Sequence, residues 1–169
     1  MRPSAERARR PHPLVMAEIG VRLGKNASEI LHSMNITRMY LVDGYEPYQD
    51  SEKSHCNLEE QNNYYWDMFQ NLAPLFHLVT LVTRPSKFAS TLFPNKFFDY
   101  VYIDANHTEA SVLEDMRLWY PKVKSGGVLG GHDMGDVNFP GVEKAVIRFS
   151  EEKGVRFKHI DEDWIIDVE

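Results

Sequence analysis

Short apolar segments alternate with amphipathic helical segments along most of the chain, and this alternation limits the folds open to it. The strand-like runs are 14–20, 38–43, 76–83, 97–104 and 128–132. Between them, apolar residues recur three or four positions apart, as helices require. Alternating strands and helices predict an α/β fold with a mostly parallel sheet between layers of helices. Right-handed crossovers make that sheet doubly wound.

The end of the chain predicts a different strand pairing. Segments 155–160 and 164–168 are strand-like, and only residues 161–163 separate them. So short a connection requires an antiparallel hairpin. Pro140 suits the first turn of the preceding helix, and Gly154 suits its end. We therefore expect a C-terminal antiparallel hairpin at the edge of the parallel sheet.

The chain predicts one domain, residues 14–169, preceded by a flexible basic leader, residues 1–13. The polar stretch 46–57 predicts a loop. The wider segment 46–73 is interpreted as an insertion on the side where an acceptor would bind. The four residues 124–127, Lys-Ser-Gly-Gly, predict a turn.

Composition excludes several classes of protein. The net charge of -6 disfavours a nucleic-acid partner, because phosphates are bound by clustered Lys and Arg. No apolar run approaches the roughly 18 residues that a membrane helix needs. Cys56 is the single cysteine, which excludes an internal disulfide and fits a reducing, cytoplasmic setting. We expect a small-molecule partner, no nucleic acid and no membrane, with a homodimer left open.

Chemically active residues follow the predicted strands, where ligands bind in open α/β sheets. Gly20 permits a sharp turn and a close approach by a ligand, and Gly24 can do the same at the helix start. The free N–H groups of that helix suit a carboxylate, and Glu18 suits an ammonium group. This loop therefore suits a zwitterionic amino-acid group, although a plain turn with a solvated Glu18 is the alternative.

A carboxylate also ends the second strand. Asp43 stands 25 residues after Glu18, where it can accept both hydroxyls of a ribose. A turn or a helix cap is the alternative for Asp43, and Asn26 is explained equally well as a cap. Sheets that bind different nucleoside cofactors share this feature, so Asp43 alone does not identify the cofactor.

Four stretches together carry a resemblance to a known family: AEIGVRLGKNA, LVDGYEPY, FDYVYIDANHTEASVLEDMRLWYPKVKSGGVLGGHDM and PGVEKAVIRF. In order and spacing they resemble the motifs of class I S-adenosylmethionine-dependent methyltransferases, in particular the small O-methyltransferase-like proteins. The resemblance covers about residues 16–168, apart from 46–73. It implies a Rossmann-like methyltransferase fold and O-methylation of a small hydroxylated or sugar-like acceptor.

The resemblance also implies a cofactor site for S-adenosyl-L-methionine, spread over four strand ends. Its residues would be Glu18, Gly20, Val21, Gly24, Asn26, Asp43, Gly44, Thr83, Arg84, Asp104 and Ala105. Glu18, Gly20 and Gly24 would surround the methionine part of the cofactor, and Asp43 would hold the ribose. Thr83 and Arg84 would lie on the adenine side, and Asp104 would face the sulfonium.

Methyl transfer to oxygen requires removal of the acceptor's proton. His107 and His132 both follow strand ends, so either is a candidate general base near neutral pH. With Asp104 they form the predicted catalytic set. A divalent metal held by Asp104, His132 and Asp133 is an alternative, and this mixed O/N set suits Mn²⁺, Fe²⁺ or Zn²⁺ better than Mg²⁺. Cap and turn roles would also explain His107 and Asp133.

Two other functions compete with methyl transfer. A nicotinamide-dependent oxidoreductase uses a similar sheet, but the third glycine of G-x-G-x-x-G is missing here. A non-catalytic cofactor-binding or partner module is the second competitor. Tyr45 and Tyr48 are expected near the crevice. The aromatic residues of 63–69 are expected mainly in the core, and an acceptor pocket that uses them is the alternative.

Overall fold

A seven-stranded sheet crosses the whole protein in the computed structural model, which describes residues 12–49 and 55–169. Of the predicted leader, only residues 12 and 13 fall inside these ranges. The strands of the sheet are β1 (Leu14–Ile19), β2 (Ile36–Val42), β5 (Val79–Val82), β6 (Phe98–Ile103), β7 (Val123–Gly131), β8 (Phe157–Ile160) and β9 (Asp163–Asp167), and β3 (Tyr48–Gln49) and β4 (His55–Cys56) form a separate pair. The helices are α1 (Lys25–Ser33), α2 (Leu58–Leu72), α3 (Ser86–Ala89), α4 (Glu109–Trp119) and α5 (Pro140–Lys153).

The strand order is β5-β2-β1-β6-β7-β9-β8. The first five strands of that order are parallel, and β9 pairs antiparallel with both β7 and β8. The predicted doubly wound sheet and its C-terminal hairpin are therefore confirmed. The chain moves outward from β1 through β2 to β5, then returns to the centre at β6. The strand order thus reverses between β1 and β6, which is where such sheets open a binding crevice.

Apolar residues form two cores, one on each face of the sheet. In β6, Val101 and Ile103 join the core beneath α4 and α5, whereas Tyr100 and Tyr102 join the core beneath α1 and α2. This alternation follows from the two-residue period of a strand. No helix in the described ranges is long and apolar enough to cross a membrane.

Local sequence explains where the helices begin and end. Asn57 and Glu60 form a reciprocal capping box at the start of α2. The Thr108 side chain accepts a hydrogen bond from the Ser111 N–H at the start of α4. Helix α5 begins at Pro140 and ends at Gly154, whose φ is 67°, as predicted.

The structure corrects three local predictions. Residues 76–78 belong to a 3₁₀ helix, Ala73–Leu78, because Pro74 in its first turn favours helical φ, and the strand begins only at Val79. Residues 124–127 form a bulge inside β7 rather than a turn, with Gly126 at φ 75°. The predicted loop 46–57 contains the short antiparallel pair β3–β4.

A buried carboxylate links α3 to α4. Asp115 is only 7% exposed. It accepts a hydrogen bond from the Ser86 hydroxyl, which in turn accepts one from Trp119 Nε1 at 2.8 Å. Burial raises the pKa of Asp115 to about 6 from its ordinary value of 3.8, although the Ser86 bond opposes the change.

We expect Asp115→Asn to stabilise the protein at alkaline pH. Because the pKa of Asp115 is raised in the folded state, its buried carboxyl ionises there less readily than in the unfolded chain. The protein therefore loses stability as the pH rises through about 6. Asparagine removes this cost, so the free energy of unfolding should rise by up to about 3 kcal/mol at pH 8. At about pH 4 most of the gain should disappear, because Asp115 is then protonated in the folded protein and only partly ionised in the unfolded chain. Urea denaturation at both pH values measures this, with exposed Asp67→Asn as control; equal effects at both pH values would contradict it.

Candidate active site

A cavity of about 570 Å³ opens above the carboxyl ends of β1, β2, β6 and β7. Ligand pockets in proteins commonly have volumes of this order. Glu18 lies in β1, and Asp43 and Asp104 directly follow β2 and β6; all three line the cavity. The carboxylates that the sequence places at three different strand ends therefore share one crevice.

Glu18 is a buried carboxylate in the cavity wall. The residue is 1% exposed, and its Oε1 accepts a hydrogen bond from Asn26 Nδ2 at 2.6 Å. Asn26 stands in the first turn of α1, whose N-cap is Gly24 and uses no side-chain bond. Asn26 is therefore not the cap; its amide fixes the Glu18 carboxylate and ties the helix to the strand.

Gly20 lies where the loops after β1 and β6 approach each other. Its φ is 85°, and a Cβ at this position would overlap the Asp104 carbonyl oxygen. Gly24, at φ 68°, instead lies against Met68 and Leu72 of α2 and is not among the cavity-lining residues. Gly20 therefore shapes the crevice, whereas Gly24 permits the packing of α1 on α2.

Asp43 connects the loop after β1 to the loop after β2, and residues of both loops line the crevice. Its Oδ2 accepts the backbone N–H groups of Val21 and Arg22 at 2.9 and 3.0 Å, and its Oδ1 accepts that of Tyr45 at 2.8 Å. A carboxylate has about four acceptor positions, so one remains, on Oδ1. This leaves about one acceptor position of Asp43 for a hydroxyl of a ligand.

Three cavity-lining residues other than glycine adopt left-handed backbone conformations. They are Arg22, Tyr45 and Asp133, with φ values of 49°, 48° and 60°. Such conformations cost energy and persist where the surrounding structure holds them. The Tyr45 hydroxyl, for example, donates to the Arg22 carbonyl at 3.1 Å. The strain is thus maintained at the cavity by contacts between its own loops.

Two histidines hold one carboxylate at the opposite end of the cavity. His107 Nε2 lies 2.9 Å from Asp133 Oδ2, and His132 Nδ1 lies 3.0 Å from Asp133 Oδ1. Burial opposes ionisation of Asp133, but these bonds hold its pKa well below the usual range. Phe139 stacks on the His107 ring with 4.0 Å between centroids. Asp133 is therefore an anion that orients both rings.

One group of side chains in the cavity has the composition of a metal site. Asp104, His107 and Asp133 each offer a ligand atom within 4.8 Å of the others. The sequence suggested His132 as the nitrogen ligand, but His132 is directed elsewhere. Its Nε2 lies 3.2 Å from Glu162 in the β8–β9 connection, while its Nδ1 bonds Asp133.

Most of the residues predicted for the site line the cavity. These are Glu18, Gly20, Val21, Asn26, Asp43, Gly44, Asp104, Ala105, His107, His132 and Asp133, together with Tyr45 and Tyr48. Thr83 and Arg84 are exposed and do not line it; the next two residues, Pro85 and Ser86, do.

Sequence reasoning missed Arg22 and Gln61, which also line the cavity, and it gave the pocket only as the alternative for Tyr64, which lines it too. The three-residue spacing of Gln61 and Tyr64 on a predicted helix was a signal that they share a face.

Comparison with known families identifies the domain. A family model described as a methyltransferase domain matches residues 17–134. The chain belongs to the class I S-adenosylmethionine-dependent methyltransferase family. The resemblance read from the four sequence motifs is thereby confirmed, and the matched range runs from β1 through Asp133. No curated protein is significantly similar in sequence to this methyltransferase-family chain.

Several solved structures, two of them named as methyltransferases, share its fold at low sequence identity. The precorrin-6y C5,15-methyltransferase of Geobacter metallireducens has a TM-score of 0.66 at 20% identity, with 96% of this chain and 84% of that chain covered. Cofactor-bound Rv0187 from MTB has a TM-score of 0.70 at 15% identity, with 98% and 75% covered. A Klebsiella pneumoniae structure, provisionally assigned as an O-methyltransferase, has a TM-score of 0.67 at 13% identity, with 99% of this chain and 90% of that chain covered. At these identities the likeness establishes the fold alone.

We expect Gly20→Ala to destabilise this methyltransferase domain far more than Gly154→Ala. Both glycines have positive φ, but a Cβ at Gly154 would meet nothing within 4 Å. The conformational cost alone, about 1 kcal/mol, should appear at Gly154. Overlap with the Asp104 carbonyl should raise the loss at Gly20 to about 3 kcal/mol or more. Urea denaturation compares the two variants, and equal losses would contradict the close approach of the two loops.

Proposed function

We propose that this protein transfers a methyl group from S-adenosyl-L-methionine to a hydroxyl oxygen of a small hydroxylated or sugar-like acceptor. One observation carries the proposal. A single cavity joins the carboxylates of three neighbouring strand ends to a histidine that a buried carboxylate orients. The first set suits the cofactor, and the second suits removal of a hydroxyl proton.

The residues present fit the cofactor. The fixed, buried carboxylate of Glu18 suits the ammonium of the methionine part, and the remaining acceptor position of Asp43 suits one ribose hydroxyl. Asp104 would face the positively charged sulfur, where a carboxylate is favourable. When bound, the cofactor supplies an electrophilic methyl group on a sulfonium.

His107 is the proposed general base. When its Nε2–H donates to Asp133, the lone pair of the neutral ring lies on Nδ1. His107 would accept the acceptor's hydroxyl proton at Nδ1, and ionised Asp133 would stabilise the imidazolium that forms. Stacking on Phe139 restrains the ring in that orientation. His132 contacts the same carboxylate from its other side, so its proposed role is to position Asp133.

The polar and aromatic lining supports the acceptor class. Tyr45, Tyr48 and Tyr64 contribute ring faces and hydroxyls to the cavity, and Gln61 and Glu46 contribute further polar groups. Apolar faces with a few directed polar groups are typical of sites for small hydroxylated molecules. A small hydroxylated ring suits such a lining.

A divalent metal is a second candidate for activating the hydroxyl. Asp104, His107 and Asp133 would hold it, and it would lower the pKa of the acceptor hydroxyl. The close grouping of their three ligand atoms favours this candidate. It competes with the base mechanism, because the His107–Asp133 hydrogen bond would be replaced by two bonds to the ion.

We expect the protein to bind S-adenosylhomocysteine, the product form of the cofactor, and not to bind NAD or NADH. The carboxylates at the ends of β1 and β2 suit both cofactor classes, but the loop lacks the third glycine that a dinucleotide pyrophosphate requires. Isothermal titration calorimetry with the three ligands measures this. Tight NAD binding without a response to the thioether would favour an oxidoreductase. Thioether binding without turnover on a broad hydroxylated acceptor panel would favour a non-catalytic module.

We expect His107→Ala to lower kcat by about 10²- to 10⁴-fold while leaving S-adenosylhomocysteine affinity within a few-fold of wild type, as loss of a general base does. Asp133→Asn should lower kcat in the same direction because it removes the anion that orients His107. His77→Ala, an exposed histidine outside the cavity, is the matched control.

The same assay separates the two mechanisms of hydroxyl activation. Activity that survives exhaustive chelation supports the base mechanism. Activity that chelation abolishes and Mn²⁺ restores supports the metal. Full activity of His107→Ala would contradict both, since His107 serves in each.

A further inference from the structure

We propose that Arg22 and Gln61, supported by Tyr64, form a subsite that binds a carboxylate group of a ligand in the cavity. The inference rests on the proposed function, because it assumes that the cavity holds a cofactor and an acceptor. It assigns a role to Arg22, which the proposed reaction leaves unused, and a more specific role to Gln61 and Tyr64 than that of acceptor lining.

Charge in the cavity is distributed so that an anion has one favourable place. The lining contains five carboxylate residues, Glu18, Asp43, Glu46, Asp104 and Asp133. Arg22 is the sole lysine or arginine among the described residues of that lining, and it makes no ion pair with them. A ligand carboxylate elsewhere in the cavity would face like charge, whereas beside Arg22 it gains a charge-assisted bond.

Gln61 is a buried polar side chain that lacks a partner. It is 5% exposed and lines the cavity, yet its amide makes no hydrogen bond within residues 12–49 and 55–169. Because Gln61 lines the cavity and its amide atoms are not among the fully buried unpartnered ones, that amide is open to a ligand or to solvent. Its N–H₂ would donate to a carboxylate oxygen of a ligand.

Tyr64 brings these two side chains to the same wall. Gln61 and Tyr64 are three residues apart in α2, so they lie on one face of the helix. The Tyr64 hydroxyl accepts a bond from Arg22 Nη2 at 3.3 Å, and the guanidinium carbon lies 4.9 Å from the Tyr64 ring centroid. One of the five guanidinium N–H groups is used, so the others can face a ligand.

The backbone of Arg22 is fixed before any ligand arrives. Its φ is 49°, its N–H donates to Asp43, and its carbonyl accepts from Tyr45. This fixed backbone and the contact with Tyr64 restrict the positions open to the exposed Arg22 side chain, which lowers the entropy that a bound carboxylate would cost. Two sources supply such a carboxylate, namely the amino-acid part of the cofactor and an acidic substituent on the acceptor.

Two ligand pairs distinguish these sources by calorimetry on the full chain. S-adenosylhomocysteine carries the amino-acid carboxylate, and 5′-methylthioadenosine lacks the amino-acid part. In the presence of saturating S-adenosylhomocysteine, 3,4-dihydroxybenzoate and its methyl ester differ only in an acceptor-like carboxylate. The variants are Arg22→Met, Arg22→Lys and Gln61→Leu, and Lys144→Met on the exposed face of α5 is the charge-matched control.

We expect Arg22→Met to weaken binding of the carboxylate-bearing ligand of one pair by about 10- to 100-fold. Gln61→Leu should weaken binding of the same ligand by a smaller factor. Arg22→Lys should have an intermediate affinity, because lysine keeps the charge but cannot donate two parallel hydrogen bonds to a carboxylate. The uncharged member of the pair and all ligands of Lys144→Met should stay within about twofold of wild type.

A loss confined to the thioether pair assigns the subsite to the cofactor, and a loss confined to the benzoate pair assigns it to the acceptor. The inference is overturned if folded variants bind every ligand like wild type, or if both members of a pair weaken equally. In either case wild-type binding of S-adenosylhomocysteine would leave the proposed function intact. A wild type that binds neither thioether overturns both.

Discussion

The contact between the ends of β1 and β6 sets the geometry of the whole crevice. These strands are neighbours at the centre of the sheet, although β2 and β5 separate them in the chain. Because the Asp104 carbonyl lies where a Cβ of residue 20 would be, only glycine allows the two loops to meet. This approach brings the buried Glu18 and the more open Asp104 to one cavity. Their carboxylates can then act on a single ligand.

Several polar groups in the site have a structural function before any ligand binds. Asp43 uses three of its about four acceptor positions to bind backbone N–H groups, and both oxygens of Asp133 bind imidazole rings. Such bonds pre-organise the walls, so little ordering remains to be done when a ligand enters. Pre-organisation also explains why left-handed residues cluster here, since Asp43 and Tyr45 hold the strained Arg22 in place.

Sequence alone could predict the strand ends, because hydrophobic periodicity and turn residues are local signals. It placed Glu18, Asp43 and Asp104 correctly at those ends, and the topology then brought them together. It could not predict which nitrogen partner faces Asp104. His107 and His132 both follow strands, and the direction of each ring depends on Phe139 and Glu162, which are distant from it in the chain.

The dependence of local structure on contacts that are distant in the chain also explains the incorrect local predictions. The Gly-Gly at 126–127 is compatible with either a turn or a bulge, and the pairing of β7 with β6 selects the bulge. Asn26 has the chemistry of a helix cap, but Glu18 on the adjacent strand offers its amide a charged partner. In each case a tertiary contact decided between two local structures that the sequence allows equally.

The division of charge across the cavity bears on how acceptor and cofactor would be arranged. The carboxylates of Glu18, Asp104 and Asp133 follow one strand end after another, and Arg22 stands apart on the loop that faces α2. A ligand with charges of both signs would therefore be favoured with its cation near these carboxylates and its anion near Arg22. In S-adenosylmethionine the ammonium and the carboxylate are attached to one carbon atom, so the proposed arrangement would turn the ammonium toward Glu18 and the carboxylate toward Arg22. The cavity would then leave its His107 end to a neutral hydroxyl, the group that the oriented imidazole is suited to deprotonate.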